Sequence, residues 1–149
     1  MPDTSPRREA PPGALQARLV TLEAMSLLVQ ARLLVALRPL SSWRRRLGTL
    51  VNEPTHGTGA NWGSRYFARA VERAAARLPF ETKCLPRAIA LHLMLERRGA
   101  ESQLVMAVLP GTARGKFDDL HAWVEAGGEV LIGASPLPYR AIARFALAQ

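Results

Sequence analysis

The chain has 149 residues, of which 48% are hydrophobic and 21% charged, a composition typical of a globular protein. That length predicts one domain with a sizeable core and argues against a chain that is disordered throughout. A single cysteine excludes an intramolecular disulfide and an all-cysteine metal cluster, and it suits a reducing, cytoplasmic location.

The formal net charge is +8, and the basic excess lies in the first two-thirds of the chain. Such a charge is compatible with nucleic acid, an anionic membrane surface or an acidic peptide as partner. Nucleic acid is the least favoured, because aromatic residues make up only 6% of the chain and do not alternate with the arginines.

Residues 1–13 are rich in proline and mixed charge, which predicts a flexible arm without a secretory signal. The most apolar stretch, residues 24–37, is shorter than the roughly 20 residues that span a membrane and contains Gln30 and Arg32. We interpret this stretch as a buried or interfacial helix, and contact with a membrane stays open.

Helices are predicted for the first half of the chain. The first covers residues 14–37 and is expected to turn one apolar stripe to the core. The stripe consists of Leu15, Leu19, Leu22, Val29, Leu33 and Ala36. A short helix with Trp43, Leu47 and Leu50 inward, and a loop over residues 52–60, come next.

A third helix is predicted over residues 61–78, with Phe67, Val71, Ala74 and Leu78 as its apolar stripe. It also carries an arginine every fourth residue: Arg65, Arg69, Arg73 and Arg77. This basic face is either solvated charge or a docking face for a peptide.

The second half begins with a fourth helix from Cys84 or Leu85 to Arg98, because Pro86 is tolerated only in a first turn and Gly99 suits a helix end. Strands follow over residues 103–109, 120–126 and 129–133, joined in part by a Gly-Gly hairpin, and a last helix over 139–148. The pattern predicts an α+β fold. We divide the single domain, residues 14–149, into a helical front (14–80) and a C-terminal core (81–149).

Cys84 is the sharpest chemical feature of the sequence. A helix N-terminus offers unpaired N–H groups and a positive dipole end, both of which favour a thiolate, and Lys83 adds a cation. The alternative is a buried structural cysteine.

His121 is the candidate base, on one face of the alternating strand with Trp123 and Glu125. The alternative is a polar residue on the wet face of that strand. His92 lies on the same helix as Cys84, about 12 Å further along its axis, which is beyond hydrogen-bond reach. No metal-ligand spacing and no phosphate-binding glycine loop is present, so neither a metal nor another cofactor is expected.

Three blocks carry a family resemblance: CLPRAIALHLMLERRG (84–99), SQLVMAVLP (102–110) and HAWVEAGGEVLIG (121–133). Upstream, residues 26–40 and 68–80 also resemble the helical front of the family to which these blocks point. In this order and spacing the blocks resemble the stand-alone leader peptidase of lasso-peptide biosynthesis, a transglutaminase-like cysteine protease. The resemblance covers about residues 15 to 135.

The resemblance implies an enzyme that cuts the leader from a ribosomally made precursor peptide. It also implies a separate leader-recognition protein as partner, because the chain opens directly on the helical front, and an ATP-dependent macrolactam cyclase that acts on the freed core. The family's nucleophile maps to Cys84 and its base to His121. Its third catalytic member, an aspartate, maps to Gly133, where this chain departs from the pattern.

A different group must therefore orient His121. A three-residue hairpin loop, residues 126–128, would place Gly133 opposite His121, whereas a two-residue turn would place Ala134 there. The candidate orienters are Ser135, which is preferred, Asp118, Asp119, a backbone carbonyl and water. With the three-residue loop and enough space, Gly133→Asp would be expected to raise the cleavage rate.

Two other functions compete with leader removal. The first is a non-catalytic peptide-binding subunit of the same machinery, which the missing aspartate favours. The second is a transglutaminase-like acyl transferase, whose product would be a cross-link instead of a hydrolysed peptide.

Overall fold

The computed structural model describes residues 11–54, 56, 60–111 and 120–146, so most of the predicted arm lies outside the described residues. The helices described are α1 (Ala14–Leu37), α2 (Leu40–Trp43), α3 (Trp62–Arg77) and α4 (Cys84–Glu96), with a 3-10 turn at Arg44–Leu47. The strands described are β1 (Thr49–Leu50), β2 (Gln103–Val108), β3 (Leu120–Ala126), β4 (Glu129–Ile132) and β5 (Arg140–Ala146). All neighbouring strands are antiparallel, in the order β1-β5-β2-β3-β4, and the α+β prediction is confirmed.

Helix α4 is the central helix of the fold. It contacts α1 and α3 on one side and β2, β3 and β4 on the other. Pro86 lies in its first turn, where a missing N–H breaks no helical hydrogen bond, and Gly99 follows its end with a φ of +63°. Cys84 is therefore the first residue of a buried helix, which is one of the two starts predicted from the sequence.

The predicted inward stripe of α1 is wrong, because the structure turns it to solvent. Leu15, Leu19, Leu22, Val29 and Leu33 are all exposed. The buried face consists instead of Val20, Thr21, Ala24, Leu27, Leu28 and Ala31. Both faces of α1 are apolar, so the periodicity did not distinguish the buried face from the exposed one. The face that contains Ala24 and Ala31 packs against α3 and α4, since small side chains let the helices approach closely.

This assignment predicts unequal effects of two matched leucine substitutions on α1. Leu28 is 0% exposed and Leu22 is 60% exposed. Leu28→Ala should lower the free energy of unfolding by about 3 kcal/mol, since it leaves a core cavity. Leu22→Ala should change it by less than about 0.5 kcal/mol. Urea denaturation measures both, and equal losses would contradict the assigned face.

Among the described residues, α1 is the one helix long and apolar enough to cross a membrane. A third of its most apolar window, 33%, is buried inside the protein. Core helices of soluble proteins meet the same criterion, so the length and composition of α1 leave membrane contact open.

The predicted helix over residues 139–148 is also wrong within the described part, since residues 140–146 form β5. This strand lies between β1 and β2 and pairs with both. Strand β2 is buried along most of its length, so the backbone groups on its second edge need protein partners, and β5 supplies them. At the sheet edge, Leu50 of β1 is 62% exposed, not inward as predicted.

The β3–β4 hairpin has a two-residue turn. Gly127 and Gly128 both have positive φ, 57° and 79°, and Ala126 pairs with Glu129. The three-residue loop is therefore wrong. A bulge follows, where the register shifts between Glu125 and Val124, and β4 ends at Ile132. Neither Gly133 nor Ala134 consequently pairs with His121 in the ladder.

Candidate active site

The thiol of Cys84 lies at the start of α4 and is half-buried. The first N–H groups of a helix have no partner inside the helix, so the backbone at Cys84 presents donors and a positive dipole end. Its Sγ atom lies 4.0 Å from the carbonyl oxygen of Leu120, to which the thiol donates. This contact places the nucleophile candidate against the first residue of β3.

The imidazole of His121, the second residue of β3, is held by a backbone group. Its Nε2 atom lies 2.5 Å from the carbonyl oxygen of Gly133. Because a carbonyl oxygen only accepts hydrogen bonds, Nε2 carries the proton, and in the neutral ring Nδ1 is the basic nitrogen. Position 133, where the resemblance implies an aspartate, thus contacts the histidine through its main chain.

Gly133 is required at this position by its conformation and its surroundings. Its φ is +85°, which L side chains rarely adopt, and an added Cβ would lie 2.6 Å from the carbonyl oxygen of Ala122. The same Cβ would lie 3.0 Å from the Cβ of Trp123. The structure leaves no space for the aspartate side chain, so the predicted rate gain from Gly133→Asp is wrong.

The preferred orienter, Ser135, makes a local contact instead. Its hydroxyl oxygen accepts the backbone N–H of Leu137 at 3.3 Å. Of the orienters considered, the structure shows the backbone carbonyl hydrogen-bonded to His121, while Asp118 and Asp119 lie outside the described residues.

Two aromatic rings limit the movement of His121. Tyr139 stacks on the imidazole with 4.8 Å between ring centroids and 26° between planes. Trp123 lies 5.9 Å away, and its Nε1 donates to Glu125, which also binds Arg144 at 2.8 Å. Sequence reasoning missed Tyr139 because it placed this residue at the start of a helix.

Cys84 and His121 line one cavity of about 740 Å³, together with Gly133 and Tyr139. Among the described residues no hydrogen bond joins Sγ directly to the imidazole. His92 is not part of this cavity: its ring is fully buried and hydrogen-bonded elsewhere, and burial lowers its pKa. The structure thus brings together the two residues that the sequence nominates and separates the third histidine considered, as the helical spacing predicted.

A comparison with known protein families agrees with this architecture and site. A family model described as the Transglutaminase-like superfamily matches residues 25–144, which is most of the chain. The protein belongs to the transglutaminase-like superfamily. No curated protein and no solved structure gives a significant match. Superfamily membership indicates cysteine-dependent acyl chemistry, either proteolysis or acyl transfer.

Arg87 fixes the helix start in this transglutaminase-like site. Its Nη1 donates to Glu72 of α3 at 3.0 Å, and its Nε donates to the hydroxyl of Thr82 at 3.1 Å. These bonds connect the first turn of α4 to α3 and to the segment that leads into Cys84. The sequence placed Arg87 in the first block but gave no signal for either partner.

The described residues of this transglutaminase-like protein form no cluster of metal-ligating side chains. Within residues 11–54, 56, 60–111 and 120–146, no group of three or more His, Cys, Asp or Glu side chains is placed to hold an ion.

Proposed function

We propose that this transglutaminase-like protein is a cysteine endopeptidase that removes the leader from a lasso-peptide precursor. The observation that carries the proposal is the shared cavity, with Cys84 at a helix start and His121 held by Gly133. The order and spacing of the blocks around these two residues support a leader peptidase over other cysteine proteases.

The geometry supports a mechanism in two acyl-transfer steps. Nδ1 of His121 takes the thiol proton, and Sγ attacks the scissile carbonyl. The backbone N–H of Cys84 donates to the developing oxyanion, since it has no partner inside the helix. The tetrahedral intermediate collapses to a thioester as the imidazolium protonates the leaving amine. Water, deprotonated by Nδ1, then attacks the thioester, which releases the acid and the thiol.

The proposal includes partners and a place of action. A separate recognition protein presents the leader, and an ATP-dependent cyclase uses the freed core. A cytoplasmic location fits both an ATP-using successor and a free thiol nucleophile.

The decisive test is cleavage of the cognate precursor in the presence of the recognition protein, followed by mass spectrometry. Cys84→Ala should reduce cleavage to background, because no other thiol exists in the chain. His56→Ala, at an exposed loop histidine, is the control and should cleave like the parent. Cleavage by Cys84→Ala at the parental rate would contradict the proposal.

Tyr139 provides a smaller, graded prediction. Tyr139→Ala removes the ring that stacks on His121, and aromatic pairs of this kind contribute about 0.5–1.5 kcal/mol. We expect kcat to fall about threefold to tenfold, while Tyr139→Phe keeps the stack and the rate. Equal rates for Tyr139→Ala and Tyr139→Phe would show that the stack does not position the base.

An acyl transferase or a non-catalytic peptide-binding subunit is the second candidate. The neutral carbonyl at His121 favours the non-catalytic subunit, because it stabilises an imidazolium less than a carboxylate does. Iodoacetamide distinguishes the binding subunit, since a catalytic Cys84 should be alkylated fast near neutral pH. A peptide cross-link in place of a hydrolysed product would identify the acyl transferase.

A further inference from the structure

A second cavity along α3 adjoins the catalytic cavity. The second cavity has a volume of about 500 Å³ and shares Glu72 and Leu131 with the first. Because the two cavities adjoin, a peptide whose scissile bond lies at Cys84 can place a neighbouring side chain on the face of α3. We call the second cavity the arginine groove; it is lined by Arg65, Ala68, Arg69, Glu72, Arg73, Glu129 and Leu131.

The two acidic residues of the arginine groove are already paired. Glu129 binds Arg65 at 2.7 Å, and this arginine holds the pKa of Glu129 below its ordinary value. Glu72 binds Arg87 at 3.0 Å, outside the arginine groove. Both carboxylates are therefore matched by guanidinium groups.

Arg69 and Arg73 remain as surplus positive charge in the arginine groove. No carboxylate of the described residues pairs with either, although the guanidinium of Arg73 lies 5.9 Å above the ring of Tyr66. They are four residues apart on one helix, so their Cβ atoms are about 6 Å apart. Two guanidinium groups at that spacing, above the apolar Leu131, suit a carboxylate.

We propose that the arginine groove is a substrate subsite for an acidic side chain within a few residues of the scissile bond. The assignment rests on the proposed peptidase function for the position of the substrate. It names the chemistry that Arg69 and Arg73 recognise: an aspartate or glutamate carboxylate of the peptide.

The test is a proteome-derived peptide library digested by the full chain and analysed by mass spectrometry. Peptides cut by the parent should show Asp and Glu enriched about threefold to tenfold at one subsite, as expected for partly exposed charge pairs. The enrichment should decline at high salt, because exposed charges are screened. Arg69→Glu/Arg73→Glu should abolish it or reverse it towards Lys and Arg.

Arg77→Glu/Arg38→Glu is the matched control, since it makes the same charge change at exposed arginines that line neither cavity. It should keep the parental preference for acidic residues. No acidic enrichment in the parent, or the same loss in the control, would overturn the proposal.

A second measurement separates this subsite from the peptidase function. If the parent cuts no peptide of the library without the recognition protein, cleavage of the cognate precursor with that protein decides the peptidase function, and binding to the Cys84→Ala chain decides the subsite. Fluorescein-labelled (Glu-Ala)4 and (Lys-Ala)4 are compared by anisotropy. Tighter binding of the acidic peptide, reversed by Arg69→Glu/Arg73→Glu and not by the control, supports the subsite. Equal binding of the two peptides overturns it.

Discussion

Gly133→Ala should reduce the cleavage rate by roughly two orders of magnitude or more and also destabilise the protein. The added Cβ would lie 2.6 Å from a backbone oxygen of β3, so the chain at position 133 must move. The same chain carries the carbonyl that holds His121, and loss of an orienting group costs up to roughly four orders of magnitude in serine proteases. The steric clash and the strain of an alanine at positive φ should together lower the free energy of unfolding by about 2–4 kcal/mol.

Gly111→Ala separates backbone strain from displacement of the histidine. Gly111 has the same φ, +85°, but nothing lies within 4 Å of the Cβ that alanine would add. It should cost stability through strain alone and leave kcat close to the parent. If Gly133→Ala matched Gly111→Ala in both stability and kcat, the Gly133 carbonyl would not be the orienter of His121.

His92→Leu should destabilise the protein by about 2–6 kcal/mol at pH 7.5. The imidazole is 0% exposed; its Nε2 donates to the carbonyl of Leu47 and its Nδ1 accepts from the hydroxyl of Ser102, both at 2.8 Å. Leucine fills the space but leaves both partners buried without their hydrogen bonds, at about 1–3 kcal/mol each. Leu93→Met, a conservative change at the next position of α4, is the control and should cost less than about 1.5 kcal/mol.

The same histidine gives a defined pH dependence. Burial lowers the folded-state pKa of His92, and the hydrogen bond to Leu47 opposes this only in part. Below pH 6.5 the unfolded chain therefore binds a proton that the folded chain does not. The contribution of His92 to the free energy of unfolding is thus fully present above pH 6.5. As the pH falls below this value, the free energy of unfolding decreases by up to about 1.4 kcal/mol per pH unit. Between pH 7.5 and 5.5 the slope should be present in the parent and absent in His92→Leu.

A second group contributes in a separate, more acidic range. Arg98 lowers the pKa of Glu23, so the contribution of Glu23 to the free energy of unfolding is present above pH 4.5 and is lost as the pH falls further.

A parental slope unchanged by His92→Leu between pH 7.5 and 5.5 would contradict the structural role of the histidine.

The sequence predicted the elements that depend on local chemistry. Pro86 and Gly99 fixed the limits of α4, and the paired glycines marked the hairpin. It failed where tertiary contacts decide, because both faces of α1 are apolar and because β5 forms by pairing with β1 and β2, which lie far away in the sequence. The residue types of Cys84 and His121 identified them, whereas Gly133 acts through its main chain and Tyr139 through a tertiary stack, so no side-chain pattern revealed either.

The strand order has a consequence for how the site assembles in time. The base and its orienter are only 12 residues apart, and Cys84 lies 36 residues before its contact on β3. The β1–β5 pair, in contrast, joins residues 97 apart, and contacts of long sequence separation form slowly because the entropy of closing the loop opposes them. We therefore expect the catalytic centre to form within a short stretch of chain, and the β1 edge to join the sheet later in folding.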